Sequence, residues 1–212
     1  MTSKAYEVVH LDELERFPVD DEGLVWRPVR RRLGIKAFGI NAYTAASAGD
    51  RVVEEHYERE GHEELYFVAR GRATFVLGET ELEAAAGTLV YAPPGTRRGA
   101  VAGEPGTTII AMGAKPGVPH EVSGWEELFA AFGHLRNGNE EEGRRTYESA
   151  LAERPDDMRG YYNAACFESL TGNKKAAIAH LKRAIELDPE ALEFARTDSD
   201  FDSIRDDPEF PA

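Results

Sequence analysis

The chain has 212 residues, 42% of them hydrophobic and 30% charged, with a formal net charge of -14. It is apolar enough for packed cores and long enough for one large domain or two small ones, while its acidic balance repels nucleic acid and anionic membranes. The single cysteine, Cys166, excludes an intramolecular disulfide and a cysteine-based metal cluster. No apolar run reaches membrane-spanning length, and the start, Met1-Thr-Ser-Lys-Ala-Tyr-Glu, lacks the apolar core of a signal peptide. A cytoplasmic protein with no nucleic-acid or membrane partner is expected. The charge is uneven: residues 1–115 carry 18 acids against 14 bases, and residues 116–212 carry 21 against 11.

The first part of the chain is strand-like. Short segments rich in Val, Ile, Tyr, Phe and Thr run over 5–9, 24–29, 33–44, 51–57, 64–69, 73–77, 81–85, 88–91, 98–101 and 107–112. Glycines punctuate them at Gly49, Gly71, Gly78, Gly87, Gly95 and Gly106. Many short strands with glycine turns and no room for crossover helices predict an antiparallel sandwich or barrel. Within it, Arg30-Arg-Arg32 reads as a solvated strand or turn. The character changes at Lys115-Pro-Gly-Val-Pro-His-Glu121, which predicts a barrel domain over 1–115, a linker over 116–123 and a helical domain over 124–212.

Apolar residues then recur at helical spacing. Gly138-Asn139 returns as Gly172-Asn173, Ala150-Leu151 as Ala184-Ile185, Pro155 as Pro189 and Ala130-Ala131 as Ala164-Ala165, each 34 residues later. That period belongs to a stacked helix–turn–helix repeat. Helices are predicted over 124–136, 139–153, 156–171 and 174–187, with shorter ones at 189–196 and 199–206. Ser123-x-x-Glu126 offers a capping box, and Asn139 and Asn173 offer further caps.

The segment Tyr161 to Pro189 resembles a tetratricopeptide repeat, with small residues Ala165, Ala176 and Ala184 at the close approaches of paired helices. Trp125 to Pro155 is a weaker copy with Gly143 where the second has Ala177. The tail from Ala195 to Phe210 is similar to a terminal cap, with Phe201, Ile204 and Phe210 covering the apolar end of the stack. The resemblance implies a protein or peptide partner, for which Asn163 and Arg159 are candidate contacts. The alternative is that the repeats pack on the barrel or form a dimer. Cys166 reads as a small core residue.

Gly49 to Gly71 and Gly87 to Arg98 resemble the paired motifs of the cupins. The frame Gly87, Pro93, Gly95 matches the second motif, and Glu64, before Gly71, matches the glutamate of the first. The resemblance implies a jelly-roll barrel, frequent dimerisation and a divalent metal (Fe, Mn, Ni or Zn) held by imidazoles and a carboxylate. Arg98 stands where the second motif has its histidine, and an arginine does not ligate a cation. The two histidine positions of the first motif fall near Tyr57 and Arg59, or, one residue along, at His56 and Glu58.

Three readings follow. In the first, the barrel has no metal, and Arg98 with Glu64, Tyr66 and Tyr91 takes a small, anionic ligand. In the second, His56 and His62 with Glu64, or Glu58, as the carboxylate form a metal centre for an isomerase or dioxygenase; His62 and Glu64, two apart on a strand, share a face. In the third, the barrel is a scaffold filled by Trp26, Tyr66, Val68, Phe75 and Tyr91. The expected whole is an α+β chain: a cupin-like barrel joined to a tetratricopeptide-like solenoid, the barrel binding a small molecule without a cofactor and the helices contacting a protein.

Overall fold

The computed structural model describes residues 6–19, 23–57, 61–120 and 124–211, the side chain of Trp125 excepted. Two compact units divide the chain, Met1–Val122 and Ser123–Ala212.

In the first unit a 3-10 turn (Leu11–Glu13) precedes β1 (Phe17–Pro18), β2 (Val25–Arg27), α1 (Val29–Leu33), β3 (Gly39–Thr44), β4 (Arg51–Tyr57), β5 (Glu63–Arg70), β6 (Arg72–Leu77), β7 (Thr80–Ala85), β8 (Leu89–Ala92), β9 (Arg97–Ala102) and β10 (Thr108–Ala114). Six strands form one sheet in the order β1-β2-β3-β10-β5-β8, and four form the other as β4-β9-β6-β7. Neighbours pair antiparallel throughout. Alternation along the strands turns one face of each sheet inward, where Val52, Tyr66, Val68, Phe75, Val90 and Ile109 form a buried core. Gly71 turns β5 into β6 at φ 70, and a Cβ there would sit 2.6 Å from Thr107 Oγ1, so the position needs glycine twice over.

Two expectations fail near the start. Residues 6–10 join no sheet, and residue 5 lies outside the described residues. The expected strand 33–44 begins only at Gly39, because Val29–Leu33 is a short helix. Pro28 stands at its N-cap, Gly34 ends the turn at φ 63, and Arg30 is buried with its Nη1 donating to Ile35 O at 3.2 Å. The Arg30-Arg-Arg32 run is therefore helical rather than a solvated strand.

The second unit is helical: α2 (Trp125–Arg136), α3 (Glu140–Glu153), α4 (Met158–Leu170), α5 (Lys174–Leu187), α6 (Glu190–Ala195) and a 3-10 turn, Ser199–Phe201. Gly138 and Gly172, at φ 76 and 81, make the turns inside the two pairs. Asn173 caps α5 through Ala176 N–H, whereas the Asn139 side chain makes no such bond. Ser123 lies outside the described residues. Gly143 lets the helices close in: a Cβ there would lie 2.7 Å from both Ala131 O and Phe167 Cε2. The expected helix 199–206 is one 3-10 turn followed by turns, yet Phe201, Ile204 and Phe210 still cover Ala165, Ile178, Leu181 and Ala195.

Candidate functional site

One end of the barrel gathers the chemistry. The end of β4 meets the start of β9, with His56 opposite Arg98 and Tyr57 opposite Arg97. The start of β5 lies between the ends of β8 and β10, with Glu64 opposite Ala92 and Gly113. A register shift between Val53 and His56 sets which β4 residue faces Glu64. It chooses His56: its Nε2 is 3.4 Å from Glu64 Oε2, while Tyr57 is exposed. Glu58 and Arg59 lie outside the described residues.

Glu64 is the hub. Its Oε2 accepts from Tyr66 Oη at 2.7 Å and lies 3.2 Å from Arg98 Nε and 3.4 Å from His56 Nε2. Its Oε1 accepts no hydrogen bond among the described residues, and the side chain is 21% exposed. Arg98 is 0% exposed. Its Nη2 donates to Pro93 O at 3.1 Å and Ala92 O at 3.4 Å. The contact of Nε with Glu64 is an ion pair out of hydrogen-bond alignment, and Nη1 has no acceptor among the described residues. A side chain with no surface open to water cannot touch a ligand as it stands. Arg98 therefore acts on Glu64, not directly on a small molecule, and its charge is already answered.

The His56 Nδ1 sits 2.8 Å from Glu54 O. A carbonyl only accepts, so Nδ1 carries the proton; the Glu64 carboxylate likewise only accepts, so Nε2 bonds to it only when that nitrogen also carries a proton. Tyr66 is 1% exposed and packs on Phe75 with ring centroids 5.8 Å apart. Burial and the neighbouring Glu64 push its phenol far above the ordinary range, so it stays a donor. Its hydroxyl is committed to Glu64 rather than offered to a ligand.

Tyr91 departs from the expected interior position. The pairing of Leu65 with Tyr91 puts both on the outer face of the six-stranded sheet, where Tyr91 is 53% exposed and donates to Glu63 Oε1 at 2.9 Å. It lines a cleft of about 380 Å³ with Phe38, Glu63, Glu64, Leu65, Met112, Gly113, Ala114, Lys115 and Pro116. Phe38, Met112 and Lys115 carry no motif. Only the register, which sets Met112 beside Leu65, reveals them.

The expected metal set does not assemble. Ligand atoms of His56, His62 and Glu64 do not come within 4.8 Å of one another; among the described residues only Cys166, Asp198 and Asp200 do. His62 is half-buried just before β5. Two ligand atoms remain, with a guanidinium 3.2 Å from the shared carboxylate oxygen. A fixed cation in that place opposes a second one, so these residues do not fit a divalent metal.

The tetratricopeptide repeat family matches residues 159–190. Solved structures resembling the first unit include an RmlC-like cupin from Shewanella frigidimarina, 18% identical over 54% of this chain and 95% of that one, with a TM-score of 0.42. KdgF from Halomonas sp. is 20% identical over 52% and 93%, at 0.44. A sugar phosphate isomerase from a cupin superfamily, from Silicibacter pomeroyi, is 20% identical over 52% and 77%, at 0.45. The first unit is thus similar to these proteins, and residues 159–190 of the second match the repeat family. A comparison with curated proteins finds no match.

In the helical unit, Asn163 is half-buried and donates one Nδ2 hydrogen to Arg159 O at 2.7 Å within its own helix. Arg159 is exposed. Cys166 is 3% exposed with Sγ 3.9 Å from Asp198 Oδ2. Burial and the Asp198 and Asp200 charges push its thiol far up. No sequence motif marks the buried network around Glu168, whose side chain is 1% exposed. It accepts from Arg144 Nε at 2.6 Å and Nη2 at 3.1 Å, and from Tyr147 Oη. Burial raises the Glu168 carboxyl, but the bonds from Arg144 and Tyr147 outweigh it and hold the group below its ordinary value.

Proposed function

We propose that the cupin-like barrel is a small-molecule binding domain that works without a metal, and that the tetratricopeptide unit contacts a protein partner. Glu64 is the group that meets the ligand. Arg98, Tyr66 and His56 hold its Oε2, and Oε1 is left for the incoming molecule. The observation that carries this reading is the fully buried Arg98 beside Glu64. It supplies, as a fixed part of the fold, the positive charge that a carboxylate in a barrel wall requires.

Elemental mass spectrometry of the purified chain, before and after incubation with Fe(II), Mn(II), Ni(II) and Zn(II), tests the reading. Well under one equivalent of any metal is expected. One equivalent that His56→Ala removes would sink it and favour a metal-dependent cupin enzyme. For the helical unit, Arg159→Ala should weaken capture of a partner by the full chain; a partner held equally well by that variant removes Arg159 from the contact.

A further inference from the structure

Arg27, on β2, is a second buried guanidinium, 5% exposed. Its Nε donates to Thr44 Oγ1 at 3.4 Å and its Nη1 to Leu11 O at 3.3 Å, both neutral acceptors. Thr108 Oγ1 donates to Gly106 O, so the Thr44 hydroxyl, 3.0 Å from it, donates to Thr108. A relay therefore runs from Arg27 through Thr44 and Thr108 to Gly106 and fixes the guanidinium. Its Nη2 meets no acceptor among the described residues and is not sealed from solvent. Asp12, the acid that acts on Arg27, is taken by Arg70, whose Nη1 and Nη2 donate to its two oxygens at 2.6 and 2.9 Å. Leu11 and Asp12 are adjacent, so Arg27 and Arg70 grip neighbouring residues of one 3-10 turn. Glu13 accepts from the His10 N–H, and Glu15 pairs with Arg31. Burial pushes the Arg27 guanidinium below its usual value, and the charge of Arg16 adds to this.

From this we infer that Arg27, Arg16 and Arg70 form a site for a phosphate group at the end of the barrel away from Glu64. Glu64 and Arg70 stand six residues apart on β5, roughly 20 Å along the strand. Three reasons converge. A buried guanidinium without a carboxylate is costly, and an anion at its Nη2 relieves that cost. The relay holds the guanidinium in place, so little side-chain freedom is lost when an anion arrives. Asp12 shows that guanidinia here take an oxyanion through two parallel bonds. The charge then selects among oxyanions. Three guanidinia face one carboxylate, an excess of two, and a phosphate monoester carries about that much negative charge at neutral pH. Its tetrahedral oxygens also accept from guanidinia in different planes, whereas a planar carboxylate suits one fork.

This site is independent of the reading of Glu64. Nuclear magnetic resonance of the full chain, labelled with nitrogen-15, tests it. Inorganic phosphate is added at neutral pH while sodium chloride holds the ionic strength fixed, and the arginine Nε–H and backbone amide signals are followed. Saturable shifts at Arg27 are expected, half complete at about 1–10 mM, with acetate at least about 10-fold weaker. Arg27→Lys keeps the charge and loses the fork, and should weaken phosphate about 10-fold. That variant also gives up the bonds to Thr44 and Leu11. Arg16→Gln changes an exposed side chain, should weaken phosphate at least about 3-fold, and should leave the remaining amide signals in place. Phosphoserine identifies the source: affinity at least about 10-fold above that of inorganic phosphate assigns the site to a phosphorylated molecule, and equal affinity assigns it to the free ion. Shifts that chloride alone reproduces, acetate binding as tightly as phosphate, or no saturation up to about 50 mM overturns the inference. So does a phosphate affinity that either folded variant leaves unchanged.

Discussion

Replacing Arg98 by Met keeps much of its volume and removes its charge. The structure sets the size of the effect. Breaking a buried pair from one side costs about 3–5 kcal/mol, because the other charge is left behind. Glu64 is 21% exposed and retains Tyr66 and His56 as neighbours, so water and those groups recover part of that. Pro93 O and Ala92 O lose their donor. The buried Nη1, which has no acceptor among the described residues, disappears and returns about 1 kcal/mol. The net expectation is a barrel less stable by about 2 kcal/mol. Tryptophan 26 belongs to the barrel and tryptophan 125 to the helical unit, so urea unfolding in a Trp125→Phe background lets Trp26 fluorescence report the barrel alone. Glu64→Gln, Arg98→Met and the double variant close a cycle, and the double should cost less than the two singles together by at least about 1 kcal/mol. Additive costs, or an Arg98→Met barrel within about 0.5 kcal/mol of the parent, would refute the ion pair as the organising contact.

Other outcomes follow from the same geometry. Arg98→His places an imidazole beside His56 and Glu64, a two-histidine, one-carboxylate set, and should bring Fe(II) or Zn(II) uptake above that of the parent; no gain in uptake by a folded variant means that the strand ends hold the wrong geometry. In the helical unit, the lowered carboxyl of Glu168 contributes stability that is complete above its unfolded value, about pH 4.3, and is lost as pH falls through the lower folded value. Glu168→Gln should therefore flatten the acid limb of the unit's melting curve in circular dichroism, and an unchanged limb would assign it elsewhere. Gly143→Ala forces a Cβ to within 2.7 Å of Ala131 O and should cost about 1–3 kcal/mol in urea unfolding of that unit, against no effect if the helices can part freely. Cys166, buried with its thiol pushed up, should react with a disulfide reagent only after denaturation; rapid labelling of the native chain contradicts its placement.

Much of the fold was legible because local chemistry and tertiary structure agree. Glycines at φ 70, 76 and 81 stand at Gly71, Gly138 and Gly172, where the patterns break. The failures lie where local pattern is silent. Val29–Leu33 has an apolar residue at each end and three arginines between, which fits either a strand or a helical turn. In the site, the position of Glu64 was readable from its frame. The choice between His56 and Tyr57 hung on a bulge, and the inward or outward direction of Tyr66 and Tyr91 on a pairing register; both are tertiary facts. Glu168 looks like one more surface acid in a helix. Its partner Arg144 is 24 residues away, so only the packing of α3 on α4 reveals the pair.

The site also ties binding to stability. His56 and Arg98 come from the four-stranded sheet and Glu64 from the six-stranded one, so the contacts at Glu64 Oε2 join the two sheets at the barrel mouth. A ligand that takes Oε1 leaves those contacts intact. Binding then adds to the barrel's stability without breaking the pair, by about 2.7 kcal/mol at one hundred times the dissociation constant. The Trp26 transition should rise with a molecule bound at Oε1 while the helical unit's transition stays in place. If ligand instead lowers the Trp26 transition, it is competing with Arg98 for the carboxylate, and the division of labour between the two oxygens of Glu64 is wrong. If both transitions rise together, the ligand is acting on the chain at large and not at the mouth of the barrel.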